Sequence, residues 1–200
     1  RFKKDPYEVA RNFLITKDII KGTQTKTDSG IGFLNFAYQK KEYLLKLLYE
    51  HLSISFGAIF LGCLVSLPFG IILTKYKTLS KFTFPVINTI QTIPSIALLG
   101  FLIPIFGIGF TPAMIALFLY SLLPLIRNTY SGILAIDKAY IETARGIGLT
   151  NFQILMKIEI PLALPIILAG IRTAAVIVIG TATLAAMIGA GGFGDPIFRG

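Results

Sequence analysis

The chain has 200 residues, of which 54% are hydrophobic and only 14% are charged, and its mean hydropathy is +0.74. Soluble domains average about 25% charged residues, so this composition excludes an ordinary soluble domain and indicates a membrane protein. The net charge of +9 comes from bases that flank apolar runs, which is typical of topology signals and lipid-headgroup contacts rather than nucleic-acid binding. The single cysteine, Cys63, excludes an internal disulfide.

The N-terminal part differs from the rest of the chain. Residues 1–43 are rich in Lys and Arg and contain a polar run over residues 22–32, which predicts a loop. No stretch there is long enough to cross a bilayer. We therefore predict a basic extramembrane N-terminal segment over residues 1–43. The chain begins at Arg1 without an initiator Met, and we expect it to be part of a longer polypeptide.

The first predicted membrane span lies near residues 52–73. From His51 to Thr74 the sequence has no Asp, Glu, Lys or Arg, and about 20 apolar residues suffice to cross a bilayer. We expect His51, at the edge of this span, to be solvated or bound to headgroups. Small residues along the span are expected to allow close helix packing; they are Gly57, Gly62 and Gly70.

A short basic loop and three more spans follow. The loop 75–81 has three lysines and no acid, which places it in the cytoplasm. Residues 82–126 carry no charge, and their length predicts spans near 84–105 and 110–126 with a turn between them. A last span is predicted near 162–187, and the glycine-rich residues after it are expected to form a flexible external turn.

Between the last two spans lies an amphipathic, charged stretch over residues 137–161. Glu142 and Arg145 are one helical turn apart, close enough to pair. Gly148 favours a helix end, and Thr150 with the Gln three residues later predicts a capping box that starts a second helix. Pro161 limits the undisturbed length of that helix. The stretch therefore predicts a short helix, a turn and a second short helix on the cytoplasmic side.

This pattern resembles the "EAA" coupling loop of permease subunits in binding-protein-dependent ABC importers. The matching positions are Glu142, Ala144, Gly148, Ile158 and Pro161, whereas Thr143 and Ile160 depart from the family pattern. The resemblance implies that the loop, including Arg145 beside Glu142, docks into a cleft on an ATP-binding subunit and transmits its motion. The alternative is an interfacial hairpin without a partner.

The segments 91–109 and 183–195 look like those of betaine, carnitine and choline importer permeases. The resemblance implies an all-α, multi-pass transmembrane domain of the type I importer fold over residues 44–200, in the bacterial inner membrane. It also implies import of quaternary-ammonium solutes, including ergothioneine in some branches. The implied partners are a second permease copy, two ATP-binding subunits that hold ATP and Mg, and a separate or fused substrate-binding domain.

Polar residues within the spans are candidates for the transport pathway. Gln91, Thr92, Pro94 and Ser95 are expected to line it, with Pro94 breaking the helix and freeing a carbonyl; interhelical packing is an equally good explanation of these residues. Arg172 lies about a dozen residues into the last span, where a charge usually faces protein or water. We expect Arg172 to pair structurally or to contact a carboxylate.

Three other functions remain open at this point. A related permease could carry an amino acid or a sulfonate. An integral membrane enzyme would need clustered His, Asp or Glu residues, and the sequence has one His and few, well-separated acids after His51. A membrane-surface or nucleic-acid-binding module would leave the uncharged spans unexplained. We predict no catalytic residue, no metal site and no cofactor on this chain.

Overall fold

The computed structural model describes residues 38–199 and the single residue Leu14, and the described part is helical throughout its regular elements. The chain divides into two units, Arg1–Lys41 and Glu42–Gly200. Most of the predicted N-terminal segment, residues 1–37, lies outside the described residues apart from Leu14, so its extramembrane role stays a prediction.

The helices follow one another with short connections. In chain order they are α1 (Lys41–Lys75), α2 (Lys77–Thr92), α3 (Ser95–Phe106), α4 (Phe110–Leu134), α5 (Lys138–Gly146), α6 (Asn151–Ile154), a π-helical turn (Leu155–Glu159), α7 (Ile160–Ala185), a 3-10 turn (Ala186–Ile188) and α8 (Asp195–Arg199). Among the described residues, three continuous helical stretches are long and apolar enough to cross a membrane: α1, α4 and the run Asn151–Ile188.

Close contacts at glycines fix the relative direction of α1 and α4. A Cβ added to Gly62 would overlap Ser121 Oγ, and one added to Gly70 would lie 2.8 Å from Thr129 Cβ. Since later residues of α1 meet later residues of α4, the two helices run parallel. Backbones approach this closely only where one helix carries a residue without a side chain. The prediction of close packing at these glycines is confirmed.

Helix α7 packs against α4 in the opposite direction. A Cβ added to Gly132, near the end of α4, would lie 3.2 Å from Ile166 Cβ at the beginning of α7. Further along α7, a Cβ added to Gly170 would lie 2.5 Å from Asn128 Cβ, one turn earlier in α4. The order of these contacts makes the two helices antiparallel, so α4 packs against α1 in the same direction and against α7 in the opposite one.

The span predicted near residues 84–105 is divided into two helices at the break predicted for Pro94. Helices α2 and α3 meet at an angle of 97°, with the break at residues 93 and 94. Pro94 has no N–H to continue the ladder of α2, and the amide of Ile93 instead bonds the Ile90 carbonyl at 3.3 Å. The bent pair returns the chain from the Lys75 end of α1 to the start of α4.

The second helix of the loop 137–161 is not short, as predicted, but continues into the last span. The amide of Ile160 bonds the Leu155 carbonyl, a five-residue spacing that widens the helix into a π-turn. This widening accommodates Pro161, whose ring clashes with a carbonyl in a regular α-helix. The result is one helical run from Asn151 to Ile188.

The end of the molecule near His51 is packed rather than solvated, which corrects two predictions. His51 is only 6% exposed, and its Nε2 lies 3.1 Å from the Ile179 carbonyl oxygen. The glycine-rich turn after α7 lies against it, since a Cβ on Gly192 would be 3.0 Å from His51 Nδ1. Glu50 accepts a 3.1 Å hydrogen bond from the Gly192 amide. Tertiary contacts therefore hold the turn that composition alone marked as flexible.

Candidate coupling hairpin and polar cavity

The hairpin, residues 137–161, begins with a capped helix. The Asp137 side chain accepts a 2.9 Å hydrogen bond from the Ala139 amide at the start of α5. A carboxylate at this position satisfies a free amide and favours the positive end of the helix dipole. Sequence reasoning did not single out Asp137, although an Asp before an amphipathic run is a recognisable start signal.

The turn of the hairpin is a Schellman motif built on Gly148. The Leu149 amide bonds the Ala144 carbonyl and the Gly148 amide bonds the Arg145 carbonyl, each at 3.0 Å. Gly148 has a φ of 85°, a left-handed conformation in which a side chain is strained, and a Cβ added there would meet no atom within 4 Å. The requirement for glycine is therefore conformational and does not come from packing.

The second helix starts at the predicted capping box, which the structure confirms. The Thr150 hydroxyl accepts from the Gln153 amide at 3.3 Å, and the Gln153 side chain accepts from the Thr150 amide at 2.9 Å. Ala144 in the first helix and Ile154 in the second are both buried. Reciprocal caps and these buried side chains give the hairpin one defined shape.

The expected Glu142–Arg145 ion pair is absent from the described part of the chain. Both side chains are exposed. An exposed pair one turn apart is stabilised by only a few tenths of a kcal/mol, so hydration competes with it. Arg145 instead lines a cavity of about 410 Å³ that also includes Lys75, Lys138 and Glu159. The basic loop after α1 and the hairpin therefore lie at the same end of the molecule, the basic end.

The other predicted hairpin residues occupy different environments. Ala144 is buried, Ile158 is half-buried in the π-turn, and Pro161 is exposed in the first turn of α7. Sequence reasoning missed the apolar residues that the hairpin exposes. Ile147 is 75% exposed and Phe152 is 67% exposed, on either side of the Schellman turn. Both side chains are apolar groups exposed on an otherwise polar element.

The polar cavity lies at the break between α2 and α3 and has a volume of about 320 Å³. Four residues predicted for the pathway line it together: Gln91, Thr92, Pro94 and Ser95. Two further polar lining residues were missed, Tyr120 on α4 and Thr181 on α7, because they are distant in sequence.

Hydrogen bonds connect the break between α2 and α3 to α4. The Gln91 amide group donates to the Tyr120 carbonyl at 2.7 Å, and the Tyr120 hydroxyl donates to the Ile93 carbonyl. This is the carbonyl that the Pro94 break leaves without a helical partner. No charged side chain is among the described residues that line the cavity. Arg172 is exposed elsewhere on α7, without an ion pair in the described part of the chain.

Comparison with known proteins identifies the family. Residues 66–200 match the family described as binding-protein-dependent transport system inner membrane component. The chain belongs to this family of ABC importer permeases. The matched range includes the hairpin, the polar cavity, the last ten residues of α1 and every later helix.

Several curated relatives are similar to the permease over most of their length. The carnitine transport permease protein OpuCB of Listeria monocytogenes is 47% identical over 84% of this chain and 78% of its own. The choline transport system permease protein OpuBB of Bacillus subtilis is 49% identical over 78% of this chain and 72% of its own. The osmoprotectant import permease protein OsmY of Salmonella typhimurium is 44% identical over 86% of this chain and 73% of its own.

A solved structure agrees with the fold. The permease resembles a chain of the MetNI methionine ABC transporter in an inward-facing conformation, with a TM-score of 0.72 and 26% identity over 80% of this chain and 81% of that one. The permease is thus an all-α, multi-pass membrane protein of the type I importer fold. It is a transport component that works with a separate ATP-binding subunit and a substrate-binding protein, and it is not itself the ATPase.

Proposed function

We propose that the permease imports quaternary-ammonium solutes of the glycine betaine, carnitine and choline class across the bacterial inner membrane. ATP-binding subunits that bind the hairpin would drive the conformational change of the permease. Relatives named for carnitine, choline and osmoprotectant transport support this substrate class. The runner-up is an amino acid, since the similar solved structure is a methionine transporter.

The hairpin is suited to docking. Its Schellman turn, its two caps and the buried Ala144 and Ile154 hold the backbone in one shape, while Ile147 and Phe152 project from it. Rigid aromatic and aliphatic anchors that enter pockets of a partner supply most of the energy of protein contacts. In this account Glu142 and Arg145 are solvated rim charges that orient the approach of the ATP-binding subunit.

The observation that carries the proposal is the unbroken helix from the hairpin to the polar cavity. The run Asn151–Ile188 has 38 residues, about 57 Å at 1.5 Å per residue. Its first turn bears Phe152 and its far half contributes Ile177 and Thr181 to the cavity. A displacement of the docked end would therefore move a wall of the cavity directly, without an intervening loop.

The cavity suits the proposed solutes chemically. Its described lining offers amide and hydroxyl groups and the Tyr120 ring, with no fixed charge. Glycine betaine and carnitine carry both charges and have no net charge, so an uncharged polar passage neither traps nor repels them. Ring faces and carbonyl oxygens attract a quaternary ammonium group. Gln91, Thr92, Pro94 and Ser95 are proposed as pathway residues, and Arg172 as a residue outside the cavity.

The proposed assembly is a permease homodimer with two ATP-binding subunits and a substrate-binding protein or fused domain. ATP and Mg would reside on the ATP-binding subunits. Native mass spectrometry of the purified complex tests the stoichiometry, with two permeases and two ATP-binding subunits expected. A measured mass that corresponds to two different permease chains would show a heterodimer instead of a homodimer. The proposed role of the hairpin would be unchanged.

Competition for uptake tests the substrate class. Vesicles containing the full complex and its binding protein are loaded with ATP, and uptake of labelled glycine betaine or carnitine is measured. Excess choline or unlabelled betaine should suppress the uptake, whereas methionine and a sulfonate such as taurine should not. Methionine uptake that betaines fail to suppress would assign the permease to amino acids instead.

A further inference from the structure

An apolar groove runs along the outer surface between α1 and α2. One wall is the stripe Val65, Phe69 and Ile72 of α1, continued by Tyr76 just after the helix, with spacings of three and four residues. Its α2 wall is the stripe Leu79, Phe82 and Val86. Two cavities of about 450 Å³ and 480 Å³ adjoin at Phe82, which lines both, and together they make up the groove.

The length of the groove matches one leaflet of a bilayer. Val65 and Tyr76 are eleven residues apart, which corresponds to about 16 Å along a helix. Half of the hydrocarbon core is about 15 Å thick. The groove begins at the basic end, beside the loop that follows α1, and extends toward the middle of the membrane. It therefore has the dimensions of an acyl-chain site in the cytoplasmic leaflet.

The mouth of the groove is cationic. Lys75 and Lys77 flank Tyr76, and Lys81 adjoins Phe82; all three lysines are exposed and none forms an ion pair in the described part of the chain. From His51 to Ile136 the sequence contains no Asp or Glu, and Glu159, which lines the hairpin cavity together with Lys75, forms no ion pair with it among the described residues. Lys77 and Lys81 are one turn apart on α2, an arrangement that is unfavourable without an anion between them.

We propose that this groove binds an anionic phospholipid, with the acyl chain between α1 and α2 and the headgroup phosphate at Lys75, Lys77 and Lys81. Basic pockets beside transmembrane helices on the cytoplasmic side bind anionic headgroups. The lipid would fasten the bent pair α2–α3, and with it one wall of the polar cavity, to α1. Lipid composition would then influence the transport pathway directly.

Charge disfavours the other possible occupants. A two-fold contact with a second copy would bring two sets of three lysines together. Residues 1–37 carry seven bases and four acids, so this segment is also positive and would be repelled by the mouth. An anionic lipid supplies both the apolar chain and the negative charge that the groove lacks.

Tryptophan quenching by brominated lipid tests the proposal. The chain has no tryptophan, so Phe82→Trp in the full chain places a single fluorophore in the groove. The variant is reconstituted in phosphatidylcholine vesicles that contain a small equal fraction of brominated phosphatidylglycerol or brominated phosphatidylcholine. We expect the anionic lipid to quench about fivefold more strongly. The change Lys75→Gln, Lys77→Gln and Lys81→Gln should abolish this preference.

Matched controls separate the groove from general membrane electrostatics. Phe101→Trp places the fluorophore at another exposed site, remote in sequence from these lysines, where both lipids should quench equally and thereby report correct insertion. Lys138→Gln with Lys157→Gln removes two bases elsewhere at the basic end and should keep the preference. Equal quenching at position 82 by the two lipids would overturn the proposal. So would no quenching there by either lipid, because a second copy or residues 1–37 would then cover the groove.

Discussion

The two ends of the helical bundle differ in which side chains they expose and which they pack. At the basic end the hairpin exposes Ile147 and Phe152 and satisfies its own backbone through caps and a glycine turn. At the opposite end Glu50 and His51 are packed against the glycine turn at residues 191–192. One end keeps apolar side chains available to a partner, while the other buries polar ones against itself. Substitutions at the first should therefore alter coupling, and substitutions at the second should alter stability.

The largest expected effect comes from Gly148→Asp. At a φ of 85° a side chain is strained by about 1–2 kcal/mol, and the Schellman turn would rearrange to relieve it. We expect solute uptake to fall to background while the subunit remains in the membrane. Gly146→Asp introduces the same charge two residues away, at the end of the right-handed helix α5, and this variant should keep most of the uptake. Normal transport by the Gly148 variant would remove the hairpin from the mechanism.

Gly194→Ala probes the opposite end. A Cβ at Gly194 would overlap the Thr183 carbonyl oxygen, and a backbone atom in a helix cannot move aside cheaply. Overpacking of this kind costs about 3 kcal/mol. The thermal unfolding temperature of the purified permease should drop clearly. Gly100→Ala, which meets no atom within 4 Å, should leave it unchanged or raise it slightly. Equal temperatures for both variants would show that the turn is not packed as described.

Phe152→Ala tests whether the exposed hairpin surface binds the ATP-binding subunit. Truncation of a central aromatic anchor weakens protein contacts by roughly tenfold. We expect that loss in an affinity measurement with the purified ATP-binding subunit, without a change in thermal stability. Phe101→Ala removes an aromatic ring of similar exposure, 69%, from α3 and should bind normally. Equal affinities would place the contact elsewhere.

The smallest effect is expected for Glu50→Gln. The amide oxygen can still accept from Gly192, but the charge that strengthens this bond and attracts Lys46 at 3.8 Å is gone. The free energy of unfolding should fall by about 1 kcal/mol, with transport retained. Glu42→Gln, an exposed change in the first turn of α1, should lower it by only about 0.3 kcal/mol. A loss of coupling in the Glu50 variant would mean that the two ends are not independent.

Local sequence signals were sufficient for the hairpin but not for its continuation. The Thr150 capping box and the Gly148 turn depend on residues within six positions of each other, so they could be predicted. The continuation of the helix past Pro161 could not be predicted, because it depends on a π-turn, and no residue type signals a π-turn in the sequence. The short second helix that we predicted is therefore the beginning of a span.

Long-range contacts account for the other differences. Pro94 predicted where the helix breaks. The polar cavity at that break, however, also includes Tyr120 and Thr181, which lie on other helices, and Tyr120 hydrogen-bonds the Ile93 carbonyl. In the sequence His51 looks like an interfacial residue, whereas in the fold α7 and the turn near Gly192 both pack against it. The pathway role of Gln91, Thr92, Pro94 and Ser95 stays a prediction, as does the docking role of the matched hairpin positions.

Crosslinking from the tip of the hairpin tests the central claim most directly. Cys63→Ala removes the chain's one cysteine, and Ile147→Cys then places a single thiol on the most exposed apolar position of the hairpin. In the assembled complex a short bifunctional reagent should join this thiol to the ATP-binding subunit, with a yield that changes when ATP is added. Labelling of the thiol in intact cells by a membrane-impermeant reagent, without any crosslink to the ATP-binding subunit, would contradict the account.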